Sequence, residues 1–295
     1  MLRRQFIGTG ALAASAHAAG LRVPSAANCI ILVMSGGVSQ LDTFDPKPEA
    51  PSDVRGNFRA IRTAASEIRI SELFPRLAQQ ARKFSLIRSM HYPGGDLLHD
   101  EGLELALTGE VGAGDLPRFP ALPPTDLPRP TEAYGRSTFG AHCLAARMAV
   151  ERGTRMVLVP MYSPLAAPTG WDMHGYSPFS SFATYRELVA PMFDLAASAL
   201  LQELDERGLL ATTLVVGITE FGRTPKINPT GGRDHWTKCW TTMIAGGGIE
   251  GGQVLGTSDA YGAEPRDNPM TPNGLLELIA ERTGAKPQFV PSTAT

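Results

Sequence analysis

Short apolar runs alternate along the chain with stretches of helical spacing. The run from Asn28 to Met34 is apolar after its first residue and stops at Ser35-Gly36-Gly37, which predicts a buried strand feeding a Gly-rich loop. Ser71 to Lys83 carries Leu73, Leu77 and Ala81 on one helical face, and Phe84 to Ile87 reads as a short strand. His99 to Thr108 predicts a helix with Gly109 as its stop signal. Helical pattern returns from Phe139 to Arg152 and ends at Gly153. Met156 to Val159 reads as a strand. Phe182 to Arg207 reads as one long helix closed by Gly208, with Leu188, Met192, Leu195 and Leu201 contributing to its buried face. Two more apolar strands are predicted at Thr213 to Thr219 and Thr241 to Ala245, and a last helix at Gly274 to Thr283.

Strands that are apolar on both sides and alternate with helices predict an α/β fold with a mostly parallel central sheet and helices on both faces. In such sheets ligands bind beyond the carboxyl ends of the strands. The loops after Met34, Ile87, Val159, Thr219 and Ala245 are therefore expected on one rim. No internal repeat interrupts the pattern. Between Leu116 and Pro130 it gives way to Pro117, Pro120, Pro123, Pro124, Pro128 and Pro130. These exclude a helix or a central strand and predict a linker or surface meander.

Composition changes this picture little. The chain has 295 residues, which suits one sizeable core, and residues 28–295 are expected to form a single domain. The 27 basic and 29 acidic residues nearly balance, so neither a nucleic acid nor an anionic membrane surface is an expected partner. Cys29, Cys143 and Cys239 are an odd set with no zinc-knuckle spacing, and are expected as small buried hydrophobes. Residues 1–27 read as a leader. Arg3-Arg4 before an apolar pair, a mild apolar run from Gly8, and Ala16-His17-Ala18 fit a twin-arginine export signal cut near Ala18. That predicts a periplasmic or secreted protein with no membrane span after cleavage.

Candidate chemistry gathers in the loops after the predicted strands. The first loop, Ser35-Gly-Gly-Val-Ser-Gln-Leu-Asp42, permits close backbone approach and offers Asp42 as a hard oxygen ligand. His91, Asp96, His99, Asp100 and Glu101 lie on a loop leading into a helix. Gly170-Trp-Asp172-Met-His174 places a carboxylate and an imidazole two positions apart, so in an extended loop both reach one cation; such a donor pair suits zinc, manganese or iron. Glu220 follows a strand directly, and Arg223, Lys226, Arg233, Asp234 and His235 follow it closely. Arg and Lys are the residues that hold oxyanions.

Several long motifs identify a family resemblance. They are Ser35-Gly-Gly-Val-Ser-Gln-Leu-Asp-Thr-Phe-Asp-Pro-Lys-Pro48, Gly170-Trp-Asp-Met-His174, Glu220-Phe-Gly-Arg-Thr-Pro-Lys-Ile-Asn228, Gly232-Arg-Asp-His-Trp236 and Ala245-Gly-Gly-Gly-Ile-Glu-Gly-Gly-Gln-Val254. Together with the twin-arginine start they resemble the domain of unknown function 1501 family, whose fold is similar to the alkaline phosphatase and sulfatase superfamily. The resemblance implies a three-layer sandwich and a metal-dependent ester hydrolase. It aligns Leu107-Thr-Gly109 with the end of the superfamily's nucleophile helix. The nucleophile position then falls on His99, where Ser, Thr or Cys is the superfamily's residue. The same overlay offers Asp172, His174 and His235 as ligands of one metal, with Glu220, Asp234 and Asp42 as further candidates. Phe221 stands where a second metal would need an imidazole, so one metal site is expected rather than two. The Pro-rich tract at 116–130 occupies the place of a longer insertion.

Two functions follow as expectations. In the first, a divalent metal polarises a phosphate or sulfate ester of a small molecule or glycan, Arg223, Arg233 or Lys226 holds the anion, and His99 acts as nucleophile or base. In the second, a non-catalytic protein keeps the fold and binds a metal or another ligand.

Overall fold

The computed structural model describes residues 26–112, 127–129, 131–162 and 170–284. The expected leader and cleavage site, apart from residues 26 and 27, and the Pro-rich tract apart from residues 127–129, lie outside the described residues. Five strands form the central sheet: Asn28–Val33 (β1), Phe84–Met90 (β4), Met156–Pro160 (β5), Thr213–Ile218 (β6) and Trp240–Gly246 (β9). Two small hairpins complete the numbering, Ala60–Arg62 (β2) with Arg69–Ser71 (β3), and Gly222–Arg223 (β7) with His235–Trp236 (β8).

The sheet order is β4-β9-β6-β1-β5. β1 pairs in parallel with both β5 and β6. β9 pairs antiparallel with both β4 and β6. The sheet is therefore mixed, with its pairings evenly divided, and the mostly parallel expectation is corrected. One reversed strand is responsible. The carboxyl ends of β1, β4, β5 and β6 share a rim with the amino end of β9, so the loop after Ala245 lies on the opposite rim. An apolar strand buried on both faces has no sequence signature of direction.

Side chains of β1 alternate between two apolar clusters, because successive strand residues point to opposite faces. Ile30 and Leu32 join one cluster, and Cys29, Ile31 and Val33 the other. The helices are Ser52–Arg55 (α1), Pro75–Gln79 (α2), His99–Thr108 (α3), Thr138–Glu151 (α4), Ala190–Glu206 (α5) and Pro272–Thr283 (α6). Phe139 of α4 and Phe193 of α5 pack on the first face with Phe44, Phe74 and Trp171. Leu103 and Leu107 of α3 and Leu276 and Ile279 of α6 pack on the second. Helices thus cover both faces, as the alternation predicts.

Two helices differ from the pattern. The helix expected from Ser71 starts only at Pro75, which has no N–H to give and fits a first helical turn. The long helix expected from Phe182 is Phe182–Thr184, a π turn at Tyr185–Val189, and then α5. The π turn rotates the face, so Leu188 is 51% exposed while Val189 and Phe193 are buried. The three cysteines are free and buried, as expected.

Candidate metal centre

Four chain segments meet at the rim. β1 runs into Gly36, which has φ of +114° and lies against the segment at Trp171; a Cβ there would stand 2.5 Å from the Asp172 backbone nitrogen. The close approach that its glycine permits is thus to backbone, not to a ligand. Trp171 is fully buried among Phe74, Tyr185 and Phe193, and its carbonyl accepts from Tyr185 Oη at 2.6 Å. This anchor presents Asp172 at the rim.

β6 ends at Ile218, and Glu220 and Phe221 carry the chain to the β7–β8 hairpin, whose register sets Arg223 opposite His235. His99 arrives from the side as the first residue of α3. Gly102, one turn further on, lets that helix sit tightly, since a Cβ there would come within 3.0 Å of Glu220 Cβ and of Phe221 Cδ1.

His99, Asp172 and His235 each offer one ligand atom, and these atoms lie within 4.8 Å of one another. The rings of His99 and His235 have centroids 4.4 Å apart, and Phe221 packs against both, at 5.1 and 4.5 Å. Phe221 is thus a buried wall of the site. The Nε2 atoms of His99 and His235 are buried without a hydrogen-bond partner. Two imidazoles and a carboxylate are a donor set that suits zinc, manganese or iron, and orphaned imidazole nitrogens are where a cation fits.

Electrostatics follow from the neighbours. Burial opposes charge on His99, but the Asp172 and Glu220 carboxylates outweigh it and raise its pKa to about 9. Burial would raise Asp172; His99, Arg223 and His174 together bring it down to about 2. Burial also opposes ionisation of Glu220, yet the bonds from His99 and the Gly36 amide hold its carboxyl below the ordinary value. His235 goes the other way: burial, then the positive charge of Arg223 and His99, depress it to about 4. It is neutral at pH 7 and keeps a lone pair available.

The remaining expected residues have other places. Arg223 is 0% exposed, and its guanidinium donates to the Gly37 carbonyl at 2.8 Å, the Gly36 carbonyl at 2.5 Å, Asp172 Oδ1 at 2.6 Å and the Arg233 carbonyl at 3.1 Å. Its fifth N–H direction faces His174 Nε2 at 3.4 Å, so no donor is left to hold a substrate anion. Arg233 is closed away as well. It pairs with fully buried Asp42 at 2.6 Å and donates to the carbonyls of Val54, Thr224 and Pro225. The groups expected to hold an anion, Arg223 and Arg233, and the expected metal ligand Asp42 are thus each engaged within the protein, Asp42 by Arg233 and Ser39. Lys226 is 80% exposed and its nearest carboxylate is Asp53 at 3.9 Å.

His174 lies beside the triad. Its Nε2 is 3.0 Å from Asp172 Oδ1 and its Nδ1 is 3.3 Å from Asp234 Oδ1, so both nitrogens face other partners. Glu220 is buried under His99, its Oε1 2.6 Å from His99 Nδ1. Asp234 is exposed and accepts from Asn228 Nδ2 at 3.0 Å. A groove of about 440 Å³ opens beside the triad, lined by Asp96, Leu97, Leu98, Glu101, His174, Asp234 and His235. Among the described residues no Lys or Arg lines it. A larger cavity of about 720 Å³, with Arg59, Arg76 and Arg186 in its walls, includes none of these residues.

Sequence reasoning missed the hairpin that pairs Arg223 with His235. Two-residue strands are too short for periodicity to mark them. It also missed Thr219, whose hydroxyl accepts from Val38 N at 3.0 Å and donates to Glu220 Oε2 at 3.1 Å.

No curated protein matches the chain. Among solved structures, the crystal structure of Ps i-CgsB in complex with k-i-k-neocarrahexaose is similar, with 11% identity and a TM-score of 0.47, over 90% of this chain and 73% of that one. A family model described as protein of unknown function (DUF1501) matches residues 26–130 and 125–292, and with these two matches spanning nearly all of the chain, the protein belongs to that family.

Proposed function

We propose that this chain is an exported, metal-dependent hydrolase-like protein that acts on esters, phosphate or sulfate esters among them. One observation carries the reading: His99, Asp172 and His235, far apart in sequence, bring ligand atoms within 4.8 Å of one another, and His235 also lines a groove. These three residues would hold one divalent cation. Bound there, the cation supplies Lewis acidity toward an ester oxygen.

The chain's own residues do the rest. Arg223 keeps Asp172 ionised and fixes its Oδ1, leaving Oδ2 toward His99. His235 stays neutral beside them. Phe221 excludes water from one side of the two rings. The groove receives the rest of the substrate. His99 does not serve as nucleophile in this arrangement, because Glu220 engages its Nδ1 and its Nε2 faces Asp172. Superfamily likeness in the motifs supports ester chemistry, and the twin-arginine start supports export.

A second reading, a metal-binding protein without turnover, is favoured by one observation. Asp96, Glu101 and Asp234 line the groove and, among the described residues, no Lys or Arg does, so an anionic ester would meet carboxylates outside the metal. The test is elemental analysis followed by a panel of phosphate monoesters, phosphate diesters, sulfate esters and carboxylic esters, with wild type and His235→Ala. Bound metal with turnover lost in the variant supports hydrolysis. Bound metal without turnover on any ester supports the second reading. A chain that takes up no zinc, manganese or iron contradicts both.

A further inference from the structure

We infer that Glu220 is not a metal ligand but the positioning residue that holds His99 with its Nε2 turned toward the metal. The inference rests on the reading that His99, Asp172 and His235 hold a divalent cation.

Glu220 is 1% exposed, and both its oxygens are engaged. Oε1 faces His99 Nδ1 at 2.6 Å and accepts from the Gly36 amide at 2.7 Å, while Oε2 accepts from Thr219 Oγ1 at 3.1 Å. Thr219 is itself tied to the first loop through Val38 N at 3.0 Å. The carboxylate is therefore fixed from the loop after β1, the end of β6 and the start of α3. It does not belong to the set of ligand atoms that converge, whereas His99 does.

The geometry leaves one nitrogen of His99 for a cation. With Nδ1 on Glu220, Nε2 points the other way across the ring, and a cation that displaced its proton would meet the nitrogen lone pair there. Nε2 is buried, has no hydrogen-bond partner, and sits 3.3 Å from Asp172 Oδ2. A carboxylate on the far nitrogen of a ligating imidazole fixes the ring's orientation and tautomer and raises its basicity. Gly102 makes the contact possible. It lies on the same helical face as His99, three residues on, and a side chain there would push α3 off Glu220 and Phe221.

The test is zinc affinity by competition against a chromophoric chelator at fixed pH, for wild type, Glu220→Gln, Glu220→Ala and His235→Ala. Cobalt(II) absorption of the same proteins reports the number of ligands. Losing an outer carboxylate lowers zinc affinity by about 10–100-fold while the ligand set stays the same. Glu220→Ala is expected in that range, with a cobalt spectrum of unchanged intensity. Glu220→Gln, whose amide oxygen still accepts from Nδ1, is expected to fall between the alanine variant and wild type. If Glu220→Ala does not fold, Glu220→Gln alone decides, with an expected loss of several-fold. Wild-type affinity in Glu220→Gln overturns the inference, as does a cobalt spectrum showing that Glu220→Gln has lost a ligand. A wild type that takes up no metal, or a His235→Ala variant as tight as wild type, overturns the parent reading and this one with it.

Discussion

Two buried arginine–aspartate pairs stand near the same rim, and they do different things. Arg223 meets Asp172 at 2.6 Å, and Arg233 meets Asp42 at 2.6 Å. Both guanidinium groups are fully buried; Arg233 spends its remaining donors on backbone carbonyls, and Arg223 on backbone carbonyls and toward His174. The difference is in the acids. Asp42 gives Oδ2 to Arg233 and to Ser39 Oγ, at 2.5 Å, and has no path to solvent. Asp172 gives only Oδ1 to Arg223 and turns Oδ2 toward His99 at 3.3 Å, with part of its side chain open. The first pair closes the loop after β1 onto the β7–β8 hairpin. The second leaves half a carboxylate for chemistry. In the sequence both acids are merely Asp in a Gly-bearing loop.

The largest expected effect breaks the closed pair. Asp42→Ala strands Arg233 as a buried, unpaired cation, and such losses cost about 3–5 kcal/mol. Denaturant unfolding measures it, and a loss below about 1 kcal/mol would mean that water reaches Arg233. Next comes the joint between β1 and Asp172. Gly36→Ala places a methyl 2.5 Å from a backbone nitrogen at φ of +114°, so it displaces the Asp172 segment as well as straining the turn. Strained backbone of this kind costs roughly 1–3 kcal/mol, and the variant is expected to lower both the melting temperature and zinc affinity. Asp194→Ala tests stability away from both pairs. Its carboxylate accepts from the Arg76 and Leu77 amides at 3.0 and 2.8 Å, at the start of α2, and losing a buried acceptor costs about 1–3 kcal/mol. Zinc affinity is expected to stay at the wild-type value in that variant. The smallest effect is at Lys226. An exposed side chain 3.9 Å from Asp53 contributes within about 0.5 kcal/mol, and Lys226→Ala is expected to leave stability and metal uptake unchanged.

Much of the fold was legible. The apolar runs at β1, β6 and β9 mark strands because burial on both faces leaves no polar position. α3 begins and ends where its periodicity and Gly109 predict, and Gly109 adopts the left-handed cap. The reversed direction of β9 was not legible, since an apolar run reads alike both ways. Nor was the π turn at Tyr185–Val189, which keeps helical composition while shifting the face. The candidate site was legible as a set of loops and not as a set of bonds. His99, Asp172, Glu220 and His235 stand out as chemistry-bearing residues near strand ends. Which of them share a point depends on contacts such as His99 with Glu220, which are 121 positions apart. Arg233 with Asp42, 191 apart, is the same lesson in the other direction. Spacing in the sequence puts Asp172 with His174, and the fold does bring His174 Nε2 to 3.0 Å from Asp172 Oδ1, but the ligand atoms that converge with Asp172 are those of His99 and His235.

One arrangement stands at the centre of the site: the open half of Asp172 works with His99 and His235. Its most direct test is metal content by mass spectrometry after zinc loading and dialysis, for wild type beside His235→Ala. About one zinc is expected per wild-type chain, the count for a single closed set of ligands, and loss of most of it in a variant that still folds. Wild type without zinc, or a variant that retains it in full, would mean that these three residues hold no cation together.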